Sequence, residues 1–199
     1  MPMDVIVLDV AMASNFTPLI ANLENLNCIK CGGLILTAGS FLASRAPLQI
    51  GHAVAALLLL EDGRYIMQLR DETPSIWYPG HWGLFGGGVD REEDEVAALR
   101  RELWEELELK VSEARLFITL DYDLRPIGLG RCFRKYYEVS VSIAAWSRAV
   151  LHEGSDVRVL AGDEALLLPR ISPYDSFALF LHHHRHRLKG SIYAPAGLE

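Results

Sequence analysis

Apolar residues in the middle of the chain recur with the spacing of a helix face. When residues 95–109 are placed about 100° apart on a helical wheel, a narrow apolar stripe is formed by Val96, Leu99, Leu103 and Leu107. Three acidic residues, Glu102, Glu105 and Glu106, fall within one turn on another side. The pattern predicts a helix that packs against a core and presents three carboxylates together.

Alternating and apolar runs on either side of this helix predict strands. Residues 52–60 and 64–70 read as a hairpin closed by an Asp-Gly turn. Residues 115–124 and 133–146 are predicted as two further strands. A last helix is expected from Pro173 to just before Gly190, with apolar positions at helical spacing such as Phe177 and Phe180 or Leu181. Strands that alternate with long helices indicate an α/β fold.

The first fifty residues are much less regular, because apolar residues there are mixed with glycine, serine and proline. We therefore expect the recognisable domain to span residues 51–199. Residues 1–50 are expected to be an N-terminal extension that packs on the domain or on a partner in a homodimer, or the product of a wrongly chosen start codon.

A glycine-rich run leads directly into the acidic helix. Gly86 and Gly87 allow the backbone to turn tightly and to approach a ligand, and the free N–H groups of a helix N-terminus favour anions. Carboxylates one turn apart repel each other unless a cation lies between them, and Mg2+ or Mn2+ is the usual partner of such oxygen ligands. Together these features indicate phosphoryl chemistry. Taken singly, the acidic residues could form a solvent-exposed surface and the glycine run could be an ordinary loop.

The joint spacing is more informative than either feature alone. Gly87, five residues, Glu93, seven residues and then the run from Arg101 to Glu106 resemble the Nudix box, GX5EX7REUXEEXGU, in which U is aliphatic. The chain departs from the box at Glu108, where the pattern has glycine. Because a non-glycine residue in the left-handed conformation costs roughly 1 kcal/mol, we expect the helix to run on slightly or Glu108 to be strained.

The resemblance implies a Nudix fold, an α/β/α sandwich built on a mixed sheet. It implies a hydrolase that uses Mg2+ or Mn2+ to cleave a nucleoside diphosphate linked to another moiety; a nucleoside triphosphate pyrophosphohydrolase and a non-catalytic nucleotide sensor are the alternatives. The expected metal ligands are Glu102, Glu105 and Glu106. Arg101 would orient these carboxylates through a pair with Glu93, and Gly87 would keep the loop tight.

Several residues outside the box are further candidates. Arg70 resembles an arginine often found near the phosphates in this family, or is a surface arginine. Trp77 and Tyr78 could stack on a nucleobase, whereas Trp82 is expected in the core. Residues 151–170 resemble a late segment of the family in which a glutamate precedes a glycine. Glu153 or Asp156 is therefore a candidate metal ligand or general base, and the alternative is an acidic loop residue with neither role.

Charge and composition limit the classes of molecule that the protein is expected to bind. A net charge of -7 and a pI near 5.5 argue against a nucleic-acid polymer but permit a small phosphorylated substrate such as a nucleotide. The longest apolar run, Ala53–Leu60, is too short to cross a membrane, and the first residues resemble no targeting signal. We therefore expect a cytoplasmic protein without a membrane partner.

Two motifs have more than one possible role. Three cysteines do not make a disulfide framework, and the Cys28/Cys31 pair could bind zinc, act as a redox pair or consist of two ordinary thiols. The basic cluster from His182 to Arg187 fits structural or surface roles near a helix C-terminus, or contact with phosphate or a partner. Only pairs such as His182 with His186 could share a metal ion.

Overall fold

A computed structural model describes residues 51–127 and 129–188. The strands are β1 (Ala53–Leu60), β2 (Tyr65–Leu69), β3 (Trp82–Gly83), β4 (Arg115–Asp123), β5 (Arg131–Val141) and β6 (Asp156–Leu160). The α-helices are α1 (Glu95–Leu107), α2 (Ile143–Trp146), α3 (Gly162–Leu166) and α4 (Pro173–His183), and short 3-10 turns cover Arg125–Ile127 and Arg185–Leu188. The predictions for residues 1–50, including Cys28 and Cys31, and for Gly190 lie outside the described residues.

The six strands form one mixed sheet. Its main path runs β3-β2-β1-β5-β4, and β6 pairs with β2. β1 and β5 are parallel, while the remaining named pairs are antiparallel. The predicted hairpin is present, since β1 turns back into β2 through Glu61–Arg64 and Leu59 lies opposite Tyr65.

Helices cover both faces of this sheet. On one face, α1 buries Ala98, Leu99, Leu103 and Leu107 against apolar residues of β1 and β5. On the other face, Ala165 of α3 and Ala178 and Leu179 of α4 pack against residues of β2 and β5. Each sheet face therefore has its own apolar core, and the predicted α/β/α sandwich with a mixed sheet is confirmed.

Three sequence predictions were wrong in detail. The last helix, expected to run to just before Gly190, ends at His183 and is followed by a 3-10 turn over Arg185–Leu188. The strand predicted over residues 133–146 stops at Val141, because Ser142 caps the helical turn α2 by accepting the N–H of Ala145 at 3.0 Å. The apolar face predicted for the last helix was also wrong, since Phe177 and Phe180 are 45% and 48% exposed.

The inward face of α4 consists instead of Asp175, Ala178, Leu179 and His182. Its two polar members can be buried because the sheet supplies their hydrogen-bond partners. Within residues 51–127 and 129–188, no helix is long and apolar enough to span a membrane.

Candidate active site

The glycine-rich segment lies between β1 and β2. The N–H of Val54 donates to the carbonyl of Gly87 at 2.9 Å, and the N–H of Ala56 donates to Phe85 at 2.8 Å. On its other side, Gly83 pairs with Gln68 of β2. Gly86 has φ 129°, and a Cβ there would lie 2.3 Å from the carbonyl oxygen of Val54, so only glycine lets the segment approach β1 this closely.

Helix α1 begins and ends with defined caps. The carboxylate of Asp94 accepts the N–H groups of Val96 and Ala97, each at 3.0 Å. At the other end Glu108 adopts the left-handed conformation (φ 52°, ψ 26°), and its N–H donates to Trp104 at 2.8 Å. We expected either a longer helix or a strained Glu108. The helix ends at Leu107 and Glu108 is the strained residue. The Glu108 side chain pairs with Nε2 of His152 at 2.8 Å.

Arg101 connects the loop to the carboxylates. Its guanidinium binds Glu93 through two parallel hydrogen bonds of 3.0 and 2.9 Å, as expected from the sequence. The same group donates to Glu102 at 2.9 Å, to Glu105 at 3.2 Å and to the carbonyl of Gly88 at 3.1 Å. One side chain therefore sets the positions of the loop and of two acids.

Glu102 and Glu105 differ in their surroundings. The Glu102 side chain is 16% exposed, and its burial raises the pKa of the carboxyl against the opposing effect of Arg101. Its carboxylate lies directly below the loop, since a Cβ on Gly87 would come within 2.5 Å of it. The side chain of Glu105 is 56% exposed and points to the open side of the cluster.

Glu106 is the buried member of the cluster. It is 3% exposed and accepts hydrogen bonds from the N–H of Gly86 at 2.8 Å and from Nε2 of Gln68 at 3.3 Å. Burial, together with the negative charges of Glu153 and Glu102, raises the pKa of Glu106 to about 8. A carboxylate is costly to keep charged in such a place without a nearby cation.

The loop before β6 brings Glu153 to this cluster. The N–H of His152 donates to the carbonyl of Glu106 at 2.9 Å, and the N–H of Gly154 donates to Asp71 at 3.2 Å. Glu153 itself is exposed, and its charge acts on both Glu102 and Glu106. Asp156, the alternative, lies on β6, where it accepts the N–H of Val157 at 2.8 Å and faces Arg158 at 3.5 Å.

Of the four acids near the glycine loop, Glu102 and Glu106 are mostly buried, whereas Glu105 and Glu153 are exposed. An all-oxygen donor set that is part buried and part open suits a hard divalent cation such as Mg2+ or Mn2+, which keeps some of its water. Burial is the main cause of the raised pKa values of Glu102 and Glu106, and a bound cation would oppose this effect, so the residues fit such an ion.

Arg70 and the aromatic loop follow β2 in the chain. Nε of Arg70 donates to the carbonyl of Trp77 at 3.0 Å, so this arginine holds the loop that carries Trp77 and Tyr78. The Tyr78 ring meets the rings of His81 and Tyr174 edge to face, at centroid distances of 5.4 and 5.3 Å. Trp82 is 4% exposed and belongs to the core, as predicted.

Sequence reasoning missed a buried arginine near this loop. The Arg134 side chain is 12% exposed, lies over the ring of Tyr174 at 4.6 Å and has Nη2 3.3 Å from Oδ1 of Asp175. Among the described residues, neither Nε nor Nη2 of Arg134 has an acceptor in hydrogen-bonding geometry. The burial of Arg134 could have been predicted from the sequence, because Arg134 and Tyr136 lie on the same face of an alternating strand.

Asp175 joins this arginine to the glycine loop. It is fully buried and accepts hydrogen bonds from the N–H of Leu84 at 3.2 Å, from Ser172 Oγ at 2.7 Å and from Tyr136 Oη at 3.2 Å. Arg134 therefore belongs to the same structural unit as the loop that covers the carboxylates.

Comparisons with known proteins identify the family and the fold of the chain. The family model of the NUDIX domain matches residues 50–174. No curated protein matches the sequence. Among solved structures, the chain is similar to a MutT protein from Methanosarcina mazei, with 20% identity, a TM-score of 0.58 and coverage of 72% of this chain and 99% of that one.

Two further solved structures are similar to this chain. The NUDIX domain of Shewanella oneidensis NrtR, complexed with ADP ribose, has 21% identity and a TM-score of 0.51, covering 75% of this chain and 97% of that one. A binary complex of a C. elegans Ap4A hydrolase has 20% identity and a TM-score of 0.51, covering 71% and 99%. At these identities the likeness shows the fold.

The family match covers well over half of the chain and includes the glycine loop, the helix with its three glutamates and the loop of Glu153. The chain therefore belongs to the NUDIX domain family and is a Nudix-type pyrophosphohydrolase.

Proposed function

We propose that this protein hydrolyses a diphosphate linkage in a nucleoside diphosphate joined to another moiety, with Mg2+ or Mn2+. The observation that carries the proposal is the arrangement around Glu106. Its carboxylate is buried, feels the negative charges of Glu102 and Glu153, and accepts the N–H of Gly86 from the backbone of the loop. Keeping the mostly buried acids Glu102 and Glu106 charged beneath a glycine loop is costly without a ligand that supplies positive charge.

The residues of this site have separable roles in the proposal. Glu102, Glu105 and Glu106 hold the metal ion, which when bound neutralises phosphate charge and lowers the pKa of a bound water. Arg101 keeps Glu102 and Glu105 in place through the hydrogen bonds described above. Glu153, which is exposed beside the cluster, is a further metal ligand or accepts a proton from the attacking water.

The loop supplies close contact with the phosphates. Gly86 and Gly87 place the backbone directly over Glu102 and Glu106, so a phosphate group that shares the metal ion meets backbone and not side chains. Arg70 lies at the edge of the same loop, and we place it near the phosphates as a positively charged contact.

Arg134 is proposed to recognise the part of the substrate away from the reacting phosphates. Its Nε and Nη2 atoms form the parallel donor pair that an arginine offers to two acceptors. Neither atom makes a hydrogen bond among the described residues, although Nη2 lies 3.3 Å from Oδ1 of Asp175. The rings of Tyr78 and Tyr174 lie beside it and offer flat surfaces to a planar group, as does Trp77 in the same loop. A nucleobase provides both a flat face and an acceptor edge.

The experiment that tests the reaction measures product release from a panel of nucleotide sugars, ADP-ribose, dinucleotides and nucleoside triphosphates, with Mg2+ and with Mn2+. We expect Glu105→Gln and Glu106→Gln to lower the rate at least about 100-fold, or roughly 2.7 kcal/mol of transition-state stabilisation. Glu113→Gln, which removes an exposed acid after the helix, is the matched control and should retain activity.

The outcomes distinguish the alternatives. Turnover of triphosphates alone would replace the proposed substrate class with the pyrophosphohydrolase alternative. No turnover, together with a nucleotide-dependent rise in Tm, would favour a sensor. Activity that survives both glutamate substitutions would contradict the assignment of the metal site.

A separate measurement tests the substrate contact. Arg134→Lys keeps a positive charge opposite Asp175 but loses the parallel donor pair, so KM should rise about 10-fold or more while kcat changes less. An unchanged KM for every substrate of the panel would contradict the proposed role of Arg134.

A further inference from the structure

We propose a second cation site, formed by Asp163, His183 and His184, that binds a transition-metal ion of the Zn2+ class. Asp163 lies on α3, and the two histidines lie at the C-terminal end of α4. One ligand atom from each residue lies within 4.8 Å of the others. These helices cover the sheet face opposite α1, so this site is separate from the carboxylate cluster and does not depend on the proposed function.

The spacing of the first two ligands suits a shared ion. Nε2 of His183 lies 2.9 Å from Oδ1 of Asp163. Two ligands at about 2.0–2.2 Å from a tetrahedral zinc ion are themselves roughly 3.4 Å apart, so a small outward movement of the exposed Asp163 side chain would admit the ion. Asp163 is 82% exposed and has room for that movement.

Gly162 allows the His183 ring to occupy its position. A Cβ at residue 162 would lie 2.0 Å from Nδ1 of His183, so any other residue would displace the imidazole. Because Nδ1 is pressed against this backbone, Nε2 is the nitrogen that faces Asp163. The local sequence Gly162-Asp163 thus supplies both the space for the histidine and its partner carboxylate.

His184 provides an independent observation. Its Nδ1 atom is buried and has no hydrogen-bond partner within the described part of the chain, and a buried nitrogen without a partner is normally costly. The His184 ring lies 4.7 Å from the His183 ring, centroid to centroid.

The donor set predicts which ion is bound. Two imidazoles and one carboxylate suit Zn2+ and its neighbours Ni2+ and Cu2+, whereas Mg2+ prefers an all-oxygen set. The carbonyl end of α4 also favours a cation at this position. Three protein ligands leave at least one position for water, and a bound ion would join α3 to the end of α4. This assignment differs from the pairing of His182 with His186 considered above, because both ring nitrogens of His182 are already hydrogen-bonded.

The test is equilibrium binding of Zn2+ to the full chain in a large excess of Mg2+. Magnesium occupies the oxygen ligands and does not compete for imidazole. The double variant Cys28→Ser, Cys31→Ser is used as the background, because thiolates also bind zinc. We expect this protein to bind Zn2+, and Asp163→Asn, His183→Ala and His184→Ala each to weaken that binding at least 10-fold or to remove one equivalent.

Two controls make the result specific. His152→Ala removes another histidine that pairs with a carboxylate, Glu108, and should leave zinc binding unchanged. Asp163→Asn alters an exposed side chain, so a loss of binding in this variant, with an unchanged Tm in the absence of metal, cannot be a folding defect. The proposal is overturned if the background protein binds no Zn2+, or if bound Zn2+ is retained in all three ligand variants.

Discussion

His182 should make the stability of this protein depend on pH. The imidazole is fully buried, with Nδ1 2.7 Å from Tyr65 Oη and Nε2 2.8 Å from Oε2 of Glu138. Because the Glu138 carboxylate only accepts, Nε2 carries the proton and Nδ1 accepts from the Tyr65 hydroxyl. The neutral imidazole therefore satisfies both neighbours.

Protonation of His182 would break this arrangement. A proton on Nδ1 would face both the Tyr65 hydroxyl and Nη1 of Arg185, which lies 3.3 Å away. Burial lowers the pKa of His182 to about 4, and the charge of Arg185 acts in the same direction, while the hydrogen bond to Glu138 opposes it. Arg115, which binds Glu138, adds a further positive charge on the sheet side.

The sign and size of the effect follow from linkage. Below pH 6.5 the unfolded chain protonates this histidine while the folded chain does not, so stability falls as the pH falls towards 4. The free energy of unfolding should drop by about 2 kcal/mol between about pH 7 and about pH 5, and by about 3 kcal/mol near pH 4, through this residue alone. Other groups also titrate in this range, so a reference variant is needed.

The assay is urea denaturation at several pH values for the natural protein and for His182→Gln. Glutamine has no titrating imidazole, so His182→Gln should be less stable near neutral pH, and the difference between the two proteins should shrink by about 2–3 kcal/mol as the pH falls. NMR of the imidazole gives an independent pKa. Two parallel stability curves, or a His182 resonance that titrates near its ordinary pKa, would refute the reasoning.

Three further predictions concern the catalytic segment. Gly87→Ala should lower kcat at least about 10-fold, because its Cβ would displace the Glu102 carboxylate, whereas Gly88→Ala, which meets nothing within 4 Å, should keep nearly full activity in the same assay. Arg101→Lys should lower kcat by about 10–100-fold, since lysine cannot make the two parallel hydrogen bonds to Glu93. Arg100→Lys is the control variant. Equal losses of kcat in both variants would contradict the role of Arg101. Glu108→Gly should raise the free energy of unfolding by up to about 1 kcal/mol in a His152→Ala background, where the ion pair is already absent, and calorimetry showing a loss of stability would argue against strain at Glu108.

The sequence was most informative where function and local structure share the same residues. The Nudix box predicted α1, the loop before it and the pairing of Arg101 with Glu93, because these contacts join residues less than one helix length apart. Alternation along residues 65–69 puts Tyr65, Met67 and Leu69 on one side of β2, and all three contact the same core. Local spacing is sufficient for such predictions.

The last helix shows where this reasoning failed. The predicted apolar positions Phe177 and Phe180 are exposed, and the helix turns Asp175 and His182 inward instead. Their burial depends on Tyr136, Glu138 and Tyr65, which lie on β5 and β2 and are 39, 44 and 117 residues away from the side chains that they bind. Buried polar residues cannot be recognised without knowing the partners that satisfy them.

The catalytic loop is held from both faces of the sheet. From the α1 side, Glu106 accepts the N–H of Gly86 at 2.8 Å; from the α4 side, Asp175 accepts the N–H of Leu84 at 3.2 Å. Leu84 and Gly86 are two residues apart, so a shift of either helix would move the loop relative to Glu102 below it. Since the position of a catalytic group within a fraction of an ångström decides its rate, we expect Asp175 of α4 to influence the rate of the proposed reaction by fixing the loop, although α4 lies on the opposite side of the sheet from α1, which carries the carboxylates.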